Sequence, residues 1–109
     1  MSIVQAILQQ AVDLNASDIH LKTDKPPFFR VHGDLIESTL PATSEDDLRC
    51  VVVDILPEHI KNKKEPDLEM DFSHFEPGVG RFRVNVFMSR NAPTLVFRYV
   101  KTKIGRAHV

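Results

Sequence analysis

Apolar residues recur at helical spacing at the start of the chain. Ile3, Val4, Ile7, Leu8, Ala11, Val12 and Leu14 fall on one side, with Gln5, Gln9, Gln10 and Asp13 on the other. The pattern predicts an amphipathic helix. Asn15-Ala16-Ser17 ends it, because Asn tolerates the left-handed conformation and Ser competes for backbone hydrogen bonds. From Asp18 to Lys22 the period changes to two, which predicts a short half-buried strand broken by Asp24-Lys25-Pro26-Pro27. Phe28 to His32 and Leu35 to Glu37 flank a Gly33-Asp34 turn dipeptide and predict a hairpin. Thr43 or Ser44 offers an N-cap, and the helix behind it carries Leu48, Val51, Val52, Ile55 and Leu56 on one side. Pro57 suits the first position of a further short helix through Ile60.

The second half of the chain alternates throughout. Leu68, Met70 and Phe72 are interleaved with Asp67, Glu69 and Asp71, so the three carboxylates share a strand face. His74 to Val79 reads as the connection to Gly80–Phe87, where Phe82, Val84 and Val86 oppose Arg81, Arg83 and Asn85. A turn over Ser89–Pro93 leads to the strand Thr94–Val100. Arg98 joins the face of Arg81 and Arg83 if that loop holds an even number of residues, and the opposite face if odd; pattern alone leaves the register open. Strands without βαβ spacing, packed under helices, define an α+β domain with an antiparallel sheet of five to six strands. No repeat, low-complexity tract or dividing linker interrupts it.

The arginine row is the feature with chemical content. A guanidinium presents a planar fork of donors suited to phosphate or carboxylate and stays charged at any pH of interest. Two readings of the row stand side by side. In one, the arginines pair within the sheet with Asp67, Glu69 and Asp71 on the preceding strand, each pair contributing roughly 0.2 to 1 kcal/mol. In the other, the row faces an external phosphate.

Composition narrows the partners. The 14 basic and 15 acidic residues leave a net charge of −1, which argues against electrostatic binding to nucleic acid or an anionic membrane. Cys50 is the single cysteine, so no internal disulfide or thiolate zinc site exists; its place beside Val51 suggests a buried small apolar role. The five histidines, His20, His32, His59, His74 and His108, lack ligand spacing, and no metal site is expected. Asp18 and His20 share a strand face and could form an acid and base pair, but a serine or thiol partner is missing and they read as a surface or strand-edge pair. There is no signal segment and no apolar run approaching the ~18 residues that span a bilayer, so the reading is soluble and cytoplasmic. Nor is there a Walker A loop, a dinucleotide fingerprint or a nucleophile elbow; as an enzyme the chain looks incomplete.

Ala16-Ser17-Asp18-Ile19-His20-Leu21, Pro26-Pro27, Arg30-Val31-His32-Gly33-Asp34, Asp71-Phe72, Gly80-Arg81-Phe82-Arg83-Val84-Asn85 and Phe97-Arg98 stand in an order and spacing that resemble the amino-terminal domain of type IV pilus retraction ATPases, of the PilT/PilU type. The resemblance covers roughly residues 2 to 104. It implies a PAS-like domain, 1–104, preceding a RecA-like nucleotide domain in a cytoplasmic hexamer that is peripheral at the inner membrane when assembled. It implies packing on the nucleotide domain of the adjacent subunit, with ATP and Mg as cofactors of the full-length protein, and the pilus platform and pilin as indirect partners. Carried over, Arg81, Arg83 and Arg98 reach toward nucleotide phosphates, while Ser17, Asp18 and His20 hold a structural or interface role. The sequence departs from that family after Ile104. Residues 105–109 read as a non-native or linker-stub tail, Ile104 to Val109 resembling one frame of a sequencing-adapter oligonucleotide, and the domain alone is expected to be inactive. Two alternatives accompany this reading: a free-standing PAS-like small-ligand sensor, and the equivalent domain of an assembly or type II secretion ATPase.

Overall fold

The computed structural model describes residues 3–61, 69–89 and 92–101. In chain order the elements are α1 (Ile3–Asp13), β1 (Asp18–Leu21), β2 (Phe28–Val31), β3 (Asp34–Glu37), α2 (Glu45–Ile55), α3 (Glu58–Lys61), β4 (Glu69–Glu76), β5 (Gly80–Ser89) and β6 (Ala92–Val100). The six strands pair antiparallel in one sheet ordered β3-β2-β1-β6-β5-β4, so the first strand and the last meet at its centre. This is the α+β architecture expected from the alternation.

The core lies between the helices and one sheet face. Val4, Ile7, Leu8 and Ala11 of α1 and Leu48, Val51 and Ile55 of α2 pack with Ile19, Leu21, Phe29, Phe72, Phe82, Val84, Val86, Leu95 and Phe97. Phe82 meets Phe97 edge-on, with ring centroids 6.2 Å apart, and Tyr99 at 5.2 Å. Tyr99 also lies against Gly80 (φ 145°), where an added Cβ would stand 2.9 Å from the ring.

Local rules account for most boundaries. Asn15 takes a left-handed conformation (φ 63°) at the end of α1, as its side chain permits. Ser44, rather than Thr43, caps α2 in a reciprocal box: its hydroxyl accepts from the Asp47 N–H, and the Asp47 carboxylate accepts from the Ser44 N–H. Thr43 is buried, and its hydroxyl donates toward the carbonyls of Lys22 and Lys25, tying the approach to α2 onto the turn after β1.

Four expectations change. The β2–β3 turn is His32-Gly33, both at positive φ, and Asp34 already pairs with Val31; a two-residue hairpin of type I′ needs that conformation at both positions. α3 begins one residue after Pro57, whose carbonyl accepts from the Ile60 N–H. β4 continues through Glu76, leaving only Pro77-Gly78-Val79 as the turn. Cys50 is exposed, because the buried stripe of α2 passes through Leu48, Val51 and Ile55 and turns position 50 outward. Asp67, Leu68, the lysine cluster after Lys61 and the expected tail over 105–109 lie outside the described residues.

Candidate functional site

Ser89 pairs with Ala92, so two residues join β5 to β6 and the open question of register is answered: the count is even. Arg98 is the direct cross-strand partner of Arg83, with Phe97 and Val84 buried beneath. Following the register outward, Leu35, Arg30, Asp18, Arg98, Arg83 and Ser73 form one row across all six strands on the face away from the helices. Three guanidiniums thus share a line with one carboxylate set among them.

Arg83, Arg98, Asp71, Asn85 and Val96 line a cleft of about 390 Å³ on this face. Each of its arginines has a carboxylate partner. Arg83 Nη2 donates to Asp71 Oδ2 at 3.2 Å, with side chains 59% and 57% exposed, so the sheet-surface ion pair expected from alternation is present at this position. Arg98 Nη2 stands 3.5 Å from Asp18 Oδ2, and here exposure is unequal: 72% for Arg98 against 12% for Asp18. Glu69 accepts from the Asn85 amide at 3.0 Å instead of pairing with an arginine. Arg81 stands apart from the cleft, opposite Val100 and Phe75, with its guanidinium carbon 5.8 Å from the centre of the Phe75 ring.

Ser17, Asp18 and His20 are placed by β1, which lies inside the sheet between β2 and β6; the strand-edge expectation fails because the last strand returns to pair with the first. Ser17 extends both pairings: its N–H donates to the Arg30 carbonyl at 2.8 Å and its carbonyl accepts from the Tyr99 N–H at 3.0 Å. His20 sits between Phe28 and Val96, with its Nε2 shielded from solvent and without a hydrogen-bond partner. Burial pushes its pKa below the ordinary value of 6.5; Asp18 opposes that shift, and Arg30 and Lys22 reinforce it.

Arg30 is the member of the row that pattern reading missed. Its alternation opposite Phe29 was visible, but its place beside Asp18 depends on pairing across the Lys22–Pro27 connection, where the prolines mark a break and carry no signal for which strands pair. Its Nη1 donates to the Gly33 carbonyl at 3.1 Å, which draws the guanidinium toward the hairpin turn. Among the described residues, no group of three or more His, Cys, Asp or Glu is placed to hold a metal ion, and no helix is long and apolar enough to cross a membrane.

Comparison with known proteins gives the class first. The fold matches the crystal structure of the pilus retraction motor PilT with bound ADP at a TM-score of 0.80, with 33% identity, covering 95% of this chain and 30% of that one. The Legionella pneumophila ATPase DotB matches at 0.68 with 27% identity, covering 91% and 28%. No protein-family model matches. In sequence, the chain is 35% identical over 101 residues to the type IV pilus retraction ATPase PilT of Pseudomonas aeruginosa, covering 93% of the chain and 29% of that relative. It is 28% identical over 100 residues to PilU of the same organism, covering 92% and 26%. The chain is therefore a homologue of the amino-terminal domain of PilT/PilU-type type IV pilus ATPases. It spans less than a third of the length of these relatives.

Proposed function

We propose that this domain serves a hexameric pilus retraction motor in the cytoplasm, peripheral to the inner membrane when assembled. In this reading it packs on the nucleotide domain of an adjacent subunit and presents Arg83 and Arg98 to the phosphates of ATP bound there with Mg. One observation carries the reading: two guanidiniums stand directly opposite each other across the β5–β6 ladder, at the wall of one cleft. Like charges placed this way repel, and a sheet surface selected for stability alone would avoid them. A polyphosphate between them converts the repulsion into two charge-assisted hydrogen-bonding sites. Such cations act most strongly on charge that develops as the terminal phosphoryl group leaves. Arg81 is the weaker member, being engaged on Phe75. The sensor alternative finds less support, because Phe29, Phe82 and Phe97 are fully buried in the layer where a core ligand would sit.

The test uses a full-length motor carrying this domain. Arg83→Ala and Arg98→Lys are expected to lower ATP turnover by at least about tenfold with little change in melting temperature. Unchanged turnover in both variants refutes the proposal.

A further inference from the structure

We infer that Asp18 is a positioning residue that holds the Arg98 guanidinium at the wall of the cleft, whereas Asp71 is a displaceable counter-ion that occupies Arg83 until an anionic ligand arrives. This rests on the phosphate-facing reading of the same cleft and assigns unequal roles to its two arginines.

The inequality is in the geometry. Asp18 belongs to the middle of the sheet. Its strand is hydrogen-bonded on both sides, and the backbone of Ser17 bridges Arg30 and Tyr99 just before it. Ile19 and Leu21 beside it are fully buried, and its side chain is 12% exposed, so it has little freedom to move. Arg98 projects from it, 72% exposed, with one Nη directed at the carboxylate and the remaining donors of the fork left for the cleft. Arg30, the neighbour on the other side of Asp18, is drawn to the Gly33 carbonyl instead. Asp71 differs in each respect: it lies on the edge strand β4 and is 57% exposed, and an ion pair so open to water adds little that an incoming phosphate would have to replace.

The two carboxylates therefore make opposite predictions. Coulomb's law alone says that neutralising either one, beside an anion site, tightens anion binding. Positioning says that loss of the Asp18 carboxylate weakens it, although the face becomes more positive. Inorganic triphosphate is titrated at low salt into the 109-residue chain and followed by heteronuclear NMR. Asp71→Asn is expected to tighten binding about two- to fivefold. Asp18→Asn, and Asp18→Glu, which keeps the charge and moves it by one methylene, are each expected to weaken binding about threefold or more. If both Asp18 variants bind as tightly as the parent or more so, the positioning role is overturned while the anion site stands. Failure of both Asp18 variants to fold makes Asp18 a purely structural residue and also overturns the role. No binding by the parent chain overturns the phosphate-facing reading together with this inference.

Discussion

Removing Arg98 and removing Arg83 are predicted to have different consequences for stability, although the two face each other in one ladder. When Arg83 becomes Ala, its partner Asp71, already 57% exposed, turns to water. The ion pair lost is of a kind that contributes about 0 to 1 kcal/mol, and relief of the repulsion with Arg98 offsets part of that. When Arg98 becomes Ala, Asp18, whose side chain is 12% exposed with Arg98 in place, loses the side chain that pairs with it among the described residues. A stranded buried acceptor costs about 1 to 3 kcal/mol. The 3.5 Å separation is at the outer limit of a hydrogen bond, and Arg30 stands on the other flank, so a value of about 1 to 2 kcal/mol is expected. Urea unfolding of the chain measures the difference directly. With a slope of about 1 to 3 kcal/mol per molar, Arg98→Ala lowers the midpoint by about 0.3 to 2 M at unchanged slope, and Arg83→Ala shifts it by less than half as much. The Asp18→Asn/Arg98→Ala double variant recovers part of the loss, because the stranded charge is gone. Equal costs for the two arginine variants, or no recovery in the double variant, would refute the argument from burial.

Two further outcomes follow from the same fold. Phe82→Ala removes a fully buried ring that contacts both Phe97 and Tyr99 and should cost about 3 to 5 kcal/mol, enough to leave much of the chain unfolded; a circular-dichroism melt near that of the parent contradicts the packing described. Because burial lowers the His20 pKa, the unfolded chain takes up this proton at a higher pH than the folded one, so its contribution is complete above the ordinary value of 6.5 and is lost as pH falls below it. Melting temperatures between about pH 7.5 and about pH 5.5 should therefore fall more steeply for the parent than for His20→Gln, and equal slopes would exclude the effect.

What pattern could and could not show divides along physical lines. Periodicity located both long helices, the strand of Asp18, the Phe28 hairpin and the two arginine strands, because each buries one stripe or one face and local spacing records that directly. Pairing between distant strands leaves no such record. Nothing in Asp18-Ile19-His20-Leu21 says that β6 will lie beside it, and that one pairing turns a supposed edge strand into a central one. It also surrounds Asp18 with arginines from positions 30 and 98. The two-residue β5–β6 connection likewise decides the side on which Arg98 emerges, and alternation by itself is silent on loop parity. Cys50 shows the converse error: apolar neighbours in sequence suggested burial, whereas one helical step of about 100° separates it from Val51.

The location of the charged row bears on whether it serves folding or binding. Beneath it, β1, β5 and β6 carry Ile19, Leu21, Phe82, Val84, Val86, Leu95 and Phe97, all fully buried, and β2 adds Phe29. The outer positions of these strands lie over a filled core inside the sheet, and a carboxylate packed there is costly unless well paired. Pairs intended only for solubility can sit at the edges, as Arg83 with Asp71 does in part. A buried Asp18 at the centre, with Arg98 standing over it toward the cleft, places the least exposed charge of the row where strand geometry holds it best. Binding sites gain from that arrangement, because a cation held before the ligand arrives loses little freedom when it binds. The same arrangement gives a fold selected for stability alone a strained row of like charges, and this asymmetry favours a ligand-facing role for the centre of the sheet.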